Sequence, residues 1–168
     1  QEITDDLAVG VRVDGHILHY TVKNLHHLVQ KQTNYAFLAA EKYYRQALAS
    51  RPDQVIFLNN LAWILSQRGD KESLIHVERA NTLAPDNPDI LDTYAGIVAG
   101  QGDVAKALSL QQRAVRLQPE RGDLRLSLAK LQLRAGKTAD AKATLGKLQE
   151  LGNKFGNQEE VSRLLKGL

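Results

Sequence analysis

Residues 88–121 read PDILDTYAGIVAGQGDVAKALSLQQRAVRLQPER and decide the fold of this chain of 168 residues. Pro88 suits the first turn of a helix. Gly102 followed by Asp103 suits the end of that helix and the start of a second one. The second helix must end before Pro119, because the residue before a proline is pushed out of helical geometry. The stretch therefore predicts two helices joined by a tight turn.

The features of this stretch recur along the chain at a nearly constant interval. The recurring positions are the glycines Gly69, Gly102 and Gly136, the prolines Pro52, Pro85 and Pro119, and the small residues Ala40, Ser73, Ala107 and Ala141. Independent series that share one period predict a repeat array. Small side chains let neighbouring helices approach closely, so we expect a further set of alanines to be buried between helices. These are Ala62, Ala80, Ala95, Ala114 and Ala129.

With these positions the chain resembles the tetratricopeptide repeat family. The repeat of that family is a helix-turn-helix of about 34 residues with Leu-Gly/Ala, Tyr, Ala, an aromatic residue, Ala and Pro at set places. The resemblance covers about residues 23–154 and implies an all-α, right-handed superhelix. The expected parts are a hairpin segment at 1–22, a degenerate first repeat at 23–54, repeats at 55–87, 88–121 and 122–154, and a C-terminal capping helix at 155–168.

The N-terminal segment departs from the repeat. Residues 7–22 alternate apolar and polar around Asp14-Gly15, which predicts a β-hairpin that pairs Val13 with His16. A lone hairpin is marginal in water, so its apolar face must pack on something. Three roles stay open: a cap on the first helix pair, the remnant of a preceding β-containing domain, or an edge through which the chain forms a homodimer.

The composition excludes several classes of function. The chain is 43% hydrophobic and 24% charged, which is typical of a globular protein. It has no cysteine, which excludes a disulfide framework, thiolate catalysis and cysteine-based zinc sites. No apolar run approaches the roughly 20 residues that a membrane-spanning helix needs. The chain begins at Gln1 without Met, so we expect a processed protein or a piece of a longer one.

Patterns of catalytic or metal-ligating residues are missing. Four histidines lie between His16 and His27, but their spacings do not place two imidazoles on one face of a helix or strand. Gly96, Gly100 and Gly102 lack the preceding strand and the Gly-Lys-Ser/Thr of a phosphate-binding loop. There is no nucleophile elbow and no Ser/His/Asp grouping. We therefore expect no metal, no cofactor and no enzymatic activity.

A basic zone keeps nucleic-acid binding open as a second alternative. It comprises Arg113, Arg116, Arg121, Arg125, Lys130 and Arg134. Glu120 and Asp123 interrupt it, and no aromatic residues are interleaved for base stacking. The net charge of +3 is also too small to indicate such a partner. Solvated helix faces explain the zone better.

The resemblance further implies that the first helix of each pair lines a concave groove. The residues at the groove positions are Asn59, Trp63, Ser66, Gln67, Asp89, Asp92, Gly96, Lys130 and Arg134. Trp63 can act as a binding hot spot or can fill the seam between neighbouring helices. Asp89 and Asp92 would favour a basic ligand segment, and Gly96 leaves room for a ligand helix or an extended peptide. Asn59 can hydrogen-bond a peptide backbone.

From these positions we predict a non-catalytic scaffold that binds a peptide or helix of another protein in its groove. The first alternative is a C-terminal repeat module of a larger enzyme or secretion machine whose chemistry precedes Gln1. The length of the full gene would separate the two.

A narrower resemblance concerns five stretches. They are NNLAW at 59–63, ERA at 78–80, LAPDNP at 83–88, LDT at 91–93 and the ending of residues 159–166. In these stretches the chain is similar to the C-terminal repeats of bacterial exopolysaccharide-associated tetratricopeptide proteins, including exosortase-linked lipoproteins. This resemblance implies a periplasmic or envelope-associated scaffold rather than a cytoplasmic one.

Overall fold

The computed structural model describes residues 8–13 and 16–168, with side chains from residue 35 onward. The chain divides into two compact units, Gln1–Tyr43 and Tyr44–Leu168. In the first unit, strands β1 (Ala8–Val13) and β2 (His16–Thr21) pair antiparallel, with Val13 opposite His16. The Asp14-Gly15 turn of the expected hairpin lies outside the described residues. The cap, domain-remnant and dimer roles of this segment stay predictions.

Eight α-helices and one 3-10 turn follow in the described part of the chain. They are α1 (Val22–Ser50), α2 (Val55–Gln67), α3 (Glu72–Leu83), α4 (Pro88–Gly100), α5 (Val104–Leu117), α6 (Gly122–Arg134), α7 (Thr138–Gln149), the 3-10 turn (Gly152–Lys154) and α8 (Gln158–Lys166). The solenoid is all-helical and tetratricopeptide-like, and α8 occupies the place of the expected capping helix. The right-handed sense of the superhelix stays a prediction.

The first repeat differs from its expected form. A helix-turn-helix was expected over residues 23–54, but α1 is one continuous helix of 29 residues. The physical reason is the lack of a breaker, since no glycine or proline lies between Val22 and Ser50. A turn between two helices needs a residue that accepts positive φ or interrupts the hydrogen-bond ladder. The period of the array therefore extends into α1 without the turn that accompanies it elsewhere.

The turns inside the later pairs form as expected. Gly69, Gly102 and Gly136 have φ angles of 69°, 96° and 71°, the left-handed region that favours glycine. Each is followed by a residue whose backbone N–H closes the end of the preceding helix. The Asp103 N–H, for example, donates to the Val98 carbonyl at 3.0 Å. These are Schellman-type helix ends, and they confirm the predicted role of the three glycines.

The aspartates after these glycines act as helix caps in two slightly different positions. Asp103 is the N-cap of α5, and its Oδ1 accepts the Lys106 N–H at 2.9 Å, as expected. Asp70 lies one residue before the N-cap of α3, and its Oδ1 accepts the Glu72 N–H at 2.9 Å. The cap at Asp70 thus lies one residue earlier relative to its helix than the cap at Asp103 does.

The helices of the second unit pack in sequence order. Each pair packs closely, α2 on α3, α4 on α5 and α6 on α7, and the second helix of each pair then contacts the first helix of the next. The expected alanines are fully buried; they are Ala62, Ala80, Ala95, Ala114 and Ala129. The first helices also contact one another, α2 with α4 and α4 with α6, so they form one continuous inner face.

Two ion pairs recur at equivalent places in successive repeats. Arg79 pairs with Asp53 at 2.6 Å, and Arg113, one repeat later, pairs with Asp86 at 2.5 Å. Each joins a second helix to the loop that precedes its own repeat. All four side chains are largely exposed, so each pair contributes about 1 kcal/mol at most.

Candidate partner-binding groove

An open groove of about 680 Å³ lies along the inner face of helices α2, α4 and α6. Its apolar lining comes from the half-exposed Trp63 and from Ile97 and Leu131, which are nearly buried. The lining residues with little or no side chain are Gly96, Ala99 and Gly100. Polar and charged residues complete the lining, including Asp70, Lys71, Asp92, Gln111 and Ser127. The groove therefore combines an apolar strip with a small number of polar groups, as binding sites commonly do.

Most of the expected groove residues lie together in this lining. They are Trp63, Ser66, Gln67, Asp92, Gly96, Lys130 and Arg134. The structure thus places three different repeats on one surface. That these residues bind a partner stays a prediction.

Two of the expected residues lie elsewhere. Asp89 does not line the groove, and its carboxylate pairs with Arg121 at 2.6 Å. Asn59 does not line the groove either; it is partly buried, and its Oδ1 has no hydrogen-bond partner among the described residues. The structure therefore does not bring Asn59 and Asp89 together with the other expected residues, and that they bind a partner stays a prediction. Arg121, the N-cap residue of α6, holds the Asp89 carboxylate.

Trp63 and the glycines of α4 shape the open part of the groove. Trp63 keeps 47% of its surface exposed, so the indole is not enclosed in a seam between helices. A Cβ atom added at Gly96 or Gly100 would meet no described atom within 4 Å. Both glycines thus border open space rather than a close helix contact. The groove has room for the side chains of a bound segment beside the indole.

The two expected basic residues already have partners within the chain. The Lys130 Nζ lies 2.9 Å from Glu160 of α8, and Lys130 holds the pKa of that carboxyl below its usual range. Arg134 donates from Nη2 to the Ala99 carbonyl at 2.7 Å, near the end of α4. These contacts fix both cations at the edge of the groove and tie α6 to its neighbours.

Asp92 forms a polar spot in the groove lining. Its Oδ1 accepts a hydrogen bond from Gln111 Nε2 at 2.7 Å, and Ser127 of α6 is another polar residue of the same lining. Burial raises the pKa of Asp92 above its ordinary value, and the side chains of Gln111 and Ser127 oppose that shift. Among residues 35–168, Asp92 takes part in no ion pair. The carboxylate is therefore held by a neutral donor, and no ion pair within this range compensates its charge.

Gln111 is a groove residue that the sequence analysis missed. It is only 1% exposed; Nε2 also donates to the Leu124 carbonyl at 3.0 Å, while Oε1 has no described partner. The signal was present in the period, because the equivalent positions of successive repeats are Tyr44, Val77, Gln111 and Leu145. A glutamine at a position otherwise filled by apolar or aromatic residues indicates that the side chain forms hydrogen bonds at that position.

Half of the residues in the basic zone considered for nucleic acid pair with carboxylates. Arg113 pairs with Asp86, Arg121 with Asp89 and Asp123, and Lys130 with Glu160. A phosphate backbone would have to compete with these carboxylates. The geometry of the zone thus fits solvated helix faces better than a nucleic-acid surface.

Neither a metal centre nor a membrane span is found in the described part of the chain. Among the residues described with side chains, no group of three or more His, Asp or Glu is arranged to hold a metal ion. None of the described helices has the length and apolar character that crossing a bilayer requires.

Family models described as tetratricopeptide repeat match two parts of the chain, residues 36–89 and residues 98–166. Together they cover most of the helical array, including both sides of the groove. The comparison with curated proteins gives no match.

Several solved structures share the fold at low sequence identity. "MamA 41-end from Desulfovibrio magneticus RS-1" is 19% identical with a TM-score of 0.64, covering 73% of this chain and 70% of its own. The type III secretion translocator chaperone SycD of Yersinia enterocolitica is 18% identical with a TM-score of 0.63, covering 70% and 91%. PilF of Pseudomonas aeruginosa is 24% identical with a TM-score of 0.66, covering 84% and 62%. At these identities the likeness concerns the fold alone.

Proposed function

Because the chain belongs to the tetratricopeptide repeat family, we propose that it is a non-catalytic scaffold that binds a peptide or helix of another protein in its concave groove. The observation that carries this proposal is the open groove itself. It spans α2, α4 and α6, it leaves about half of Trp63 exposed, and it borders two glycines with open space above them. An extended groove of this kind suits a chain segment better than a small molecule.

The fold likeness supports the same class of function. One of the matching structures is described as a translocator chaperone, a protein that acts on another protein. The catalytic and metal-binding patterns sought in the sequence are missing, which favours a binding role over chemistry within this chain.

The test selects peptides from a displayed random library on the whole chain and compares their affinity for two matched variants. Gly96→Leu places a large side chain in the groove, whereas Gly146→Leu places the same side chain on α7, outside the groove. A Cβ at either glycine meets no described atom within 4 Å, so both variants should fold. Circular dichroism checks that both keep the helical content of the wild type.

We expect enriched peptides to bind the wild type and Gly146→Leu alike and to lose affinity about tenfold or more for Gly96→Leu, since a filled groove forfeits roughly 1.4 kcal/mol or more of contact. Equal binding to Gly96→Leu would place the binding surface elsewhere. A library from which no sequence is enriched would overturn the proposal.

The proposal extends to bacterial envelope or exopolysaccharide assembly, in the periplasm or attached to the envelope. This extension is supported by the five sequence stretches that resemble exopolysaccharide-associated proteins. Fractionation of the cells that produce the protein tests it, and recovery in the cytoplasm alone would contradict it.

A homodimer through the N-terminal hairpin is a second extension. Sedimentation of the whole chain beside a chain that begins at residue 23 would reveal such a dimer as a mass difference of a full protomer.

A further inference from the structure

One glutamine replaces an apolar residue at a core position of the array. Gln111 is almost completely buried, and its Oε1 has no described hydrogen-bond partner. A buried acceptor without a donor costs free energy, whereas an apolar side chain at this position, as at Leu145 in the next repeat, avoids that cost. A retained polar group at a core position therefore needs another reason.

The reason lies in what Gln111 holds. Its Nε2 donates to Asp92 at 2.7 Å and to the Leu124 carbonyl at 3.0 Å, so the amide is anchored to α6 and orients the carboxylate on α4. The Ser127 side chain of α6 lowers the pKa of the same carboxylate and so favours its ionised form. All three polar residues line the groove. The arrangement keeps a negatively charged group in a fixed position on a binding surface.

Among residues 35–168 no ion pair compensates the charge of Asp92. Lys130 pairs with Glu160, and Arg134 donates to the Ala99 carbonyl. Arg121, which lies close enough to act on Asp92 electrostatically, forms its ion pairs with Asp89 and Asp123. Asp70 and Lys71 add one charge of each sign to the lining. Burial disfavours the ionised form of Asp92, so an arriving cation would relieve that penalty.

We propose that Asp92, positioned by Gln111, receives an arginine or lysine side chain of the protein segment that binds in the groove. This inference rests on the proposed function and adds the chemical class of the ligand. The cation pairs with the carboxylate in the lining, while the half-exposed indole of Trp63 contacts the neighbouring part of the segment. Gln111 acts as a positioning residue rather than as a ligand contact.

The experiment uses the peptides enriched by the displayed library on the whole chain. Each peptide is synthesised with its arginine and with citrulline, which keeps the shape of arginine but has no charge; norleucine replaces lysine in the same way. Fluorescence anisotropy of the labelled peptides gives affinities for the wild type, Asp92→Asn and Gln111→Leu. Asp89→Asn is the matched control, since Asp89 lies on the same helix but outside the groove.

For the wild type we expect the charged peptide to bind about 10- to 100-fold more tightly than its neutral twin, the usual range for a hydrogen bond to a charged group. For Asp92→Asn the ratio should fall to within about threefold of unity, and for Gln111→Leu it should fall part of the way. For Asp89→Asn it should stay as in the wild type. The ratio within one variant cancels a general loss of stability, so a merely structural role of Gln111 would leave it unchanged.

The remaining outcomes separate the two proposals. Peptides that lose binding to Gly96→Leu but tolerate citrulline or norleucine would overturn the cation site and leave the groove scaffold in place. Enriched acidic peptides whose affinity falls with Arg134→Ala would do the same. Failure of every peptide to depend on the groove would overturn the scaffold proposal and this inference with it.

Discussion

Repeats 88–121 and 122–154 share one helix-turn-helix pattern but are stabilised in different ways. In the earlier repeat, Asn87 and Asp103 cap the two helices with their side chains. In the later repeat, Arg121 and Lys137 occupy the same N-cap positions without a side-chain hydrogen bond to the helix. The later repeat is instead covered by the C-terminal segment, where Phe155 and Val161 pack against its helices.

One equivalent position in the two repeats shows the difference most directly. Gln111 orients a carboxylate in the groove, whereas Leu145 lies in an apolar cluster with Leu126, Leu148 and Val161. Position 111 thus carries a polar group that is held in place by hydrogen bonds, whereas position 145 contributes buried apolar surface alone. The earlier repeat therefore has side-chain caps on its helices and a polar residue in its core. The stability of the later repeat depends instead on contacts with residues that are distant in the sequence.

We expect the largest effect on the free energy of unfolding when Gln111 and Leu145 are each replaced by the residue found at the other position. Leu145→Gln places an unpaired amide in a fully buried apolar cluster and should lower the free energy of unfolding by about 3 kcal/mol. Gln111→Leu restores the apolar residue of the other repeats and should change it by no more than about 1 kcal/mol. Urea unfolding measures both. Equal losses for the two variants would mean that Gln111 is an ordinary core residue, and the comparison would fail.

A smaller effect separates two glycines of the same two repeats. A Cβ at Gly122 would lie 2.5 Å from the Phe155 ring, so Gly122→Ala should lower stability by about 1–3 kcal/mol. Gly96→Ala has open space and should raise stability by up to about 1 kcal/mol through helix propensity. Thermal unfolding of the two variants should shift in opposite directions. A stabilising Gly122→Ala would show that Phe155 does not hold the later repeat.

The caps of the two repeats predict that alanine substitutions at Asp103 and Lys137 differ by about 1 kcal/mol in their effect on the free energy of unfolding. Asp103→Ala removes the hydrogen bond to the Lys106 N–H and should cost about 1 kcal/mol. Lys137→Ala, at the equivalent position, removes no capping bond and should stay within about 0.5 kcal/mol of the wild type. Chemical unfolding of both gives the difference. Equal costs would place the stability of the earlier repeat elsewhere than at its caps.

The smallest effect is a dependence on pH. Because burial raises the pKa of Asp92 in the folded chain, the folded chain binds that proton more tightly than the unfolded chain does. Stability from this group is present below the ordinary aspartate pKa of about 3.9 and declines as the pH rises through the folded pKa. The stability of the wild type minus that of Asp92→Asn should therefore fall across this window in urea unfolding.

The carboxyls with lowered pKa, Asp123 and Glu160, contribute the opposite slope, but they are present in both proteins and cancel in the difference. A difference that stays flat with pH would show that Asp92 is not desolvated in the folded chain.

Much of the array is predictable from local features of the sequence. The turn at Gly102 and the cap at Asp103 depend on residues a few positions away, and the burial of Ala95 follows from the period of the small residues; all three were predicted. The continuous α1 was not predicted, because the period was extended into residues that lack a turn-forming glycine or proline. There the absence of a breaker determines the structure more strongly than the repeat pattern does.

The groove was predictable in outline and not in its charges. The family pattern assigns Asp89 and Asp92 to the same face, but Asp89 forms an ion pair with Arg121, 32 positions along the chain, and does not line the groove. Such long-range pairs have no local signal in one sequence. Gln111 had such a signal, since it interrupts a series of apolar and aromatic residues with the period of the array.

Trp63 has a consequence for spectroscopy. It is the sole tryptophan of the chain, and it lines the groove with 47% of its surface exposed. Its emission therefore reports the polarity of this one surface without an added label. A segment that covers the indole should move the emission to shorter wavelength, and the same signal should stay still when Gly146 on α7 is altered. The native protein thus carries its own indicator of whether the groove is occupied.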